Sequence, residues 1–388
     1  MQTDIQPILI AALLTLLPMA SIPGAINGTP SRKIVEALQP FVDHSTLAGA
    51  VTLVADKDKV LSLDTVGYAD ISAHSPMHPD SLFWIASQSK PTTATALMML
   101  VDEGKVNLDD PVEKYLPEFR NQWLAVEQDQ SHMLLRKPKH AITVRNILSH
   151  TSGLPFASSV ENPTLDMLPL REAVLSYAMS PLQFEPGSKY QYANAGINTA
   201  GRIIEVVSGM PYEEFLKKRL FEPLGMKDTT FRPDSRQIAR LAKSYKPNAT
   251  NNGLDETTVT QLKYPLSDSH RQPMPAGGLF STANDLARFC QMILNGGAYQ
   301  GKRYLSDAAV RQMTSKQTGD AVPEGYGLGW STGGGSFGHG GAYSTNMVID
   351  SKRGLIMIFM VQHAGFPGDG SNSRGAFEKA AGEMFGSK

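Results

Sequence analysis

The sequence predicts an α/β fold of the α+β kind: an antiparallel sheet flanked by helices, built from both chain ends, plus a mainly helical lobe. Two observations carry this prediction. Strand-like runs stand near both ends of the 388-residue chain, and the stretch from about Asp109 to Pro265 loses β-branched alternation. That stretch breaks instead into helical segments separated by loops rich in Pro and Gly. Hydrophobic residues make up 41% of the chain, enough to close a core, and the single cysteine rules out an internal disulfide. Lys plus Arg (36) nearly cancels Asp plus Glu (37), so no global field recruits nucleic acid or an acidic membrane.

Each element follows from local pattern. Ser31 caps an amphipathic helix marked by Ile34, Val35, Leu38, Phe41 and Val42. Gly49–Ala55 and Val60–Thr65 read as a hairpin around the turn DKDK. A helix follows Ser87, with Ala94, Leu97, Met98 and Val101 on one face and Gly104 at its end. Helices are then expected at Val144–His150, Leu170–Met179, Ile197–Val207 and Tyr212–Leu220. Tyr245–Ser269 is polar and reads as an exposed ribbon. Ala283–Leu294 is expected as a helix, Tyr343–Asp350 and Gly354–Val361 as strands, and Ser373–Phe385 as a closing helix. The organisation is therefore an α/β lobe from 31–110 and 266–388, a mainly helical lobe from 111–265, and a cleft between them. Residues 1–30 stand apart as a possible signal or N-terminal helix. Pro7–Met19 has the length of a signal h-region and is too short for a stable membrane span. A periplasmic or secreted location is the expectation, with a cytoplasmic one as the alternative because no basic residue precedes Arg32.

The chemistry centres on Ser87-Gln88-Ser89-Lys90 at the start of a helical pattern. Residues three apart share a helix face, so hydroxyl and amine meet, and a lysine kept neutral by desolvation can take the serine proton. Pro91 lacks an N–H and belongs in the first turn, so the helix begins close to Ser87. Alone, the tetrad S-x-x-K occurs by chance in many proteins.

Its surroundings are more specific. Four stretches, LFWIASQSK (Leu82–Lys90), ITVRNILSHTSGLP (Ile142–Pro155), FEPGSKYQYANAG (Phe184–Gly196) and FGHGGAYST (Phe337–Thr345), resemble the serine β-lactamase and penicillin-binding protein superfamily. The resemblance runs from about Ile34 to the C-terminus and is to the branch with class C β-lactamases, D-alanyl-D-alanine carboxypeptidases, D-aminopeptidases and family VIII carboxylesterases. It implies a β-lactamase/transpeptidase-like fold and a catalytic set of Ser87, Lys90 and Tyr192. It also implies that Asn194, His339, Gly340 and Gly341 position substrate, and that the N–H groups of Ser87 and Ala342 form an oxyanion hole. A phenol has one proton to give or take, which suits a relay; taken alone, Tyr192 reads as a packed ring and His339 as a surface or core histidine.

The remaining motifs read more simply. Arg145–Gly153 is expected to be structural, with Gly153 making a turn and His150 outside the chemistry. Gly334-Gly335-Ser336-Phe337-Gly338 satisfies G-x-S-x-G, yet that elbow needs a strand before the serine and a helix after it, so Ser336 reads as loop. Cys290 reads as a buried small hydrophobe. Arg136-Lys137-Pro138-Lys139-His140 reads as a solvated loop, and no Walker pattern or metal set appears, so neither cofactor nor metal is expected. The expected function is a serine hydrolase forming an acyl-enzyme at Ser87, a carboxylesterase on small neutral or short-chain esters. D-peptidase, β-lactamase and non-hydrolytic binding or assembly roles stand as alternatives. The expected partner is a small ester, amide or β-lactam.

Overall fold

The computed structural model of the chain describes residues 28–161, 164–320, 322–323 and 325–386. Pro7–Met19 lies outside the described residues. Among the described residues, no helix is long and apolar enough to cross a membrane.

The α/β lobe is organised by a seven-stranded sheet. Its strands are β1 (Gly49–Ala55), β2 (Val60–Asp70), β3 (Ser75–Pro76), β4 (Ser331–Gly333), β5 (Ser336–Gly340), β6 (Asn346–Asp350) and β7 (Leu355–Met360). The spatial order is β4-β5-β6-β7-β1-β2-β3, and every pair is antiparallel. The sheet is thus built from both termini: Val51 lies opposite Met360 on one side and Thr65 on the other.

Every residue of β1 is buried, because both faces of the sheet are covered. Helices α1 (Arg32–Asp43) and α5 (Ser373–Phe385) cover one face, where Ile34, Leu38, Ala50, Val54, Phe359 and Phe377 pack. Helix α4 (Ala283–Leu294) covers the other, where Leu286 and Phe289 share a core with Val51, Leu53, Ile356 and Ile358. The alternation along β1 divides its side chains between these two cores. Ser31 Oγ accepts the Ile34 N–H and starts α1, as its position predicts.

The helical lobe packs against α2 (Ser89–Asp102) through α3 (Asn194–Ser208). The sequence places one apolar face on α2, whereas the structure buries it from Ser89 through Leu100. Its threonines tolerate this because they find partners: Thr93 Oγ1 lies 2.7 Å from Tyr212 Oη and donates to Pro275 O at 2.8 Å. Leu170–Met179 forms as expected. The helix expected at Val144–His150 stops at Leu148, because His150 is left-handed at φ 59°. The helix expected from Ile197 begins earlier, at Asn194, and the one from Tyr212 passes at Lys217 into a π-helical turn.

Two ribbons modify the helical picture. Leu124–Gln128 pairs with Met133–Arg136 inside the lobe read as helical. Val126, Met133, Leu134 and Leu135 are exposed on it, so no buried alternation marks it in the sequence. Ser244–Pro247 pairs with Leu254–Thr257 in the stretch read as an exposed ribbon. That stretch is better anchored than its polarity suggests, since Val259, Leu262 and Leu266 pack with Trp84 and Tyr343.

A buried ion pair fixes the loop that follows. Arg271 Nε donates to Asp166 Oδ2 at 2.7 Å and Arg271 Nη1 to Leu266 O at 2.9 Å, while Asp166 Oδ1 accepts the Lys263 N–H at 2.8 Å. Arg271 and Asp166 are both buried. Removing one partner strands the other charge, so Arg271→Ala is expected to lower unfolding free energy by about 3 kcal/mol in urea titration. A loss below about 1 kcal/mol in that titration contradicts this account.

Candidate active site

The strand Phe83–Trp84 pairs with Phe280–Ser281 and delivers the chain into a tight turn. Ala86 there has φ 46°, a left-handed value that costs a non-glycine residue about 1–2 kcal/mol. The turn is held on several sides: Ile85 N–H donates to Leu279 O at 3.0 Å and Ser89 Oγ donates to Ala86 O at 2.7 Å. A 3₁₀ turn over Ala86–Gln88 runs into α2, which places Pro91 in the first helical turn, as its chemistry requires. Ser87 thereby sits half-buried at the positive end of α2.

Lys90 lies directly beneath it and is fully buried. Its Nζ is 3.1 Å from Ser87 Oγ, 2.8 Å from Asn194 Oδ1 and 2.7 Å from Ala276 O. Burial drives the Lys90 amine well below the ordinary lysine value. Two of its contacts are to carbonyl oxygens, which only accept. A neutral amine satisfies both with its two N–H groups and is left with a lone pair facing the Ser87 hydroxyl. Nζ also lies 4.6 Å from the centre of the Tyr192 ring.

Asn194 is the first residue of α3, and Tyr192 stands just before that helix. Tyr192 is half-buried and hydrogen-bonded to Ser87. Burial raises its phenol above the ordinary tyrosine value, and the Ser87 bond offsets this only in part. The structure therefore brings Ser87, Lys90, Tyr192 and Asn194 into one cluster.

The third motif arrives on β5. His339 is buried, Gly340 and Gly341 are half-buried, and Ala342 is exposed. A side chain on Gly341 is excluded: a Cβ there would lie 2.5 Å from Ile85 O and 2.3 Å from Thr345 Oγ1. The strand expected from Tyr343 starts at Asn346 instead, because Gly341–Thr345 turns, with Ser344 at φ 67° and Gly341 N–H donating to Thr345 O at 2.8 Å. Among the described residues neither the Ser87 nor the Ala342 N–H has a backbone acceptor in these turns.

Both nitrogens of His339 are engaged. Nδ1 lies 2.7 Å from Gly340 O, and Nε2 lies 3.0 Å from Tyr326 Oη. Burial pushes the imidazole down to about 3. His339 is therefore neutral across the physiological range.

Sequence reasoning missed two contributors. Ala276 O receives Lys90, and its only sequence sign is the glycine pair that follows it. Tyr326 lies in a loop with no motif of its own. His150, expected to be structural, has its ring centre 4.5 Å from that of Tyr192 and 4.7 Å from that of Tyr326, both tilted, and its Nδ1 accepts the Ala193 N–H at 3.2 Å. It supports Tyr192 from behind. Gly153, at φ 80°, makes the turn expected of it.

Other candidates fall elsewhere. Ser336 opens β5 opposite Asp350 rather than lying in a loop, and no helix follows it, so it lacks the elbow geometry. Cys290 is buried against Met347 Sδ at 3.7 Å, and burial raises its thiol above the usual range. Arg136 pairs with Glu185 at 2.9 Å and Lys137 lies 3.6 Å over Trp123, both on the surface. Among the described residues no cluster of His, Cys, Asp and Glu is arranged to hold a metal. A cavity of about 810 Å³ is lined by residues between Pro211 and Gln237 and by none of the cluster around Ser87.

Scanned against protein families, the chain matches the one described as Beta-lactamase over residues 34–381. It is 29% identical over 360 residues to Esterase EstB of Burkholderia gladioli, covering 82% of this chain and 86% of that protein. It is 26% identical over 381 residues to a putative D-alanyl-D-alanine carboxypeptidase of Salmonella typhimurium, covering 86% and 83%. The solved structure of EstCE1, a hydrolase with promiscuous acyltransferase activity, superposes with a TM-score of 0.75 at 22% identity, covering 90% of this chain and 97% of that one; it shares the fold.

Proposed function

Since this chain belongs to the β-lactamase family, we propose that it is a serine hydrolase that acylates itself at Ser87, working as a carboxylesterase on small neutral or short-chain esters. One observation carries the reading: Lys90 Nζ reaches Ser87 Oγ at 3.1 Å while two carbonyl oxygens hold its remaining donors.

In the first half-reaction Ser87 Oγ bonds to the ester carbonyl carbon as its proton passes to Lys90 Nζ. The carbonyl oxygen takes the negative charge, facing the Ser87 and Ala342 N–H groups at the positive end of α2. As the bond to the leaving alcohol breaks, Tyr192 gives its phenolic proton to that oxygen and is reprotonated from Lys90. Water then attacks the acyl carbon and loses its proton through Tyr192 to Lys90, and Ser87 departs with a proton returned the same way. Because its phenol stays protonated, Tyr192 conducts the proton while neutral Lys90 stores it. Asn194 holds Lys90 in line, and Gly340 and Gly341 let substrate approach the strand.

The ester preference follows from His339. A neutral, internally bonded imidazole offers no fixed positive charge to a peptide or β-lactam carboxylate. Purified protein is to be assayed with p-nitrophenyl esters of increasing chain length, nitrocefin and D-amino acid peptides. Fastest turnover is expected with p-nitrophenyl acetate or butyrate, and a higher kcat/KM on nitrocefin or the peptides refutes the esterase reading. Tyr192→Phe is expected to lower kcat about 100-fold with KM little changed, as loss of a proton relay demands. Stable acylation without turnover in the wild type would instead support the binding role.

A further inference from the structure

Tyr192 is gripped on both sides by a residue that takes no part in the proton relay. His150 O accepts the Gln191 N–H at 2.9 Å, and His150 Nδ1 accepts the Ala193 N–H at 3.2 Å. The two residues flanking Tyr192 are thus tied to one side chain and its carbonyl, and the His150 ring centre lies 4.5 Å from that of Tyr192. Asn194, next along, has a separate anchor. Phe156 O accepts the Asn194 and Ala195 N–H groups at 3.0 and 3.2 Å. Phe156 therefore holds Asn194, while His150 holds Tyr192.

The contact with Ala193 also fixes the tautomer. A backbone N–H only donates, so Nδ1 presents a lone pair and the proton of the neutral imidazole sits on Nε2. Burial holds His150 well below the ordinary histidine value, which keeps it neutral. Nε2 is buried and has no hydrogen-bond partner among the described residues. His150 thus bears two local costs, a left-handed backbone at φ 59° and a buried N–H left unpaired. Costs of this kind gather where function demands them.

We propose that His150 is a positioning residue for the proton relay: by accepting the N–H groups on either side of Tyr192 it holds the phenol in line between Ser87 and the leaving oxygen. This rests on the serine-hydrolase reading above, and it adds the group that sets the geometry of the relay. His150 acts through Tyr192 and touches no reacting atom.

The test measures kcat and KM for p-nitrophenyl butyrate in His150→Leu and His150→Asn. Leucine has no acceptor. Asparagine carries Oδ1 as many bonds from the backbone as Nδ1 is in histidine, and it tolerates a left-handed φ. His150→Leu is expected to lower kcat about 30-fold with KM changed less than about 3-fold, and His150→Asn to recover kcat to within about 5-fold of wild type. Added to Tyr192→Phe, His150→Leu is expected to cost less than about 3-fold more, because nothing is left for it to position. A general loss of packing would multiply through both backgrounds. Wild-type kcat in His150→Leu, a His150→Asn as slow as His150→Leu, or a full further loss in the double variant overturns the proposal. A second readout needs no turnover: NMR of the ¹⁵N-histidine-labelled protein, with His150 assigned through its contacts with the Tyr192 and Tyr326 rings. The Nε2–H form is expected from pH 5.5 to 8, and a His150 protonated at Nδ1 overturns the proposal even if His150→Leu fails to fold. If wild type turns over no ester, the hydrolase reading falls, while the same spectrum still decides whether His150 grips the Tyr192 segment.

Discussion

Ser87→Ala is expected to lower kcat for p-nitrophenyl butyrate by about 10⁴-fold or more, leaving only what binding and the oxyanion donors supply. The fold is not at stake. Ser87 is half-buried, and the turn it occupies is held by Ile85, Ala86 and Ser89, so the melting temperature is expected to stay within about 2 °C of wild type. Intact-mass analysis after rapid quenching should show an added acyl group on wild type and none on the variant. A hydrolysis rate retained in Ser87→Ala would sink the assignment of the nucleophile, whatever the substrate.

Lys90→Met should cost a similar factor, about 10⁴-fold in kcat, because the serine loses its base and keeps its place. The wild-type rate is expected to rise with pH through a single ionisation lying below the ordinary lysine range, since only the neutral amine accepts the proton. The stability effect has a definite sign. Burial depresses the native amine while the unfolded chain keeps the ordinary value, so between the two the unfolded state binds one proton more. Stability contributed by this group therefore rises with pH and is complete only above the unfolded value of 10.5. Wild type should accordingly gain on Lys90→Met as pH increases from 7, by up to about 1.4 kcal/mol per unit. Urea titrations of both proteins at pH 7 and 9 measure this. A difference that shrinks over that interval contradicts a native amine held neutral.

Much of this was legible in the chain because it is written locally. Apolar continuity marks β1 and β7, a capping serine marks α1, and three-residue spacing brings Ser87 and Lys90 together. What escaped depends on long-range packing. Lys90 meets Ala276 O only because the loop fixed by Arg271 and Asp166 passes under α2, and a backbone carbonyl leaves no residue-type signature. Tyr326 gains its place from tilted ring contact and a hydrogen bond with residues distant in the chain. Helix ends were misplaced for a related reason. The left-handed His150, which stops one helix two residues early, is stabilised by Tyr192 and the Ala193 N–H, neither of them near it in sequence.

The pairing of Val51 with both Thr65 and Met360 also constrains how the protein is made. A chain emerging from the ribosome presents β1 and β2 first, then the whole helical lobe, and β7 nearly last. Until Leu355–Met360 has been synthesised, β1 keeps one unpaired edge and an apolar face without its cover from α5. A message truncated before that point therefore specifies an open, self-associating sheet rather than a smaller enzyme. The finished molecule has the opposite property. With α1 and α5 packed together and Lys33 bonded to Glu383 at 2.6 Å, the first and last described helices hold each other across the same face of the sheet.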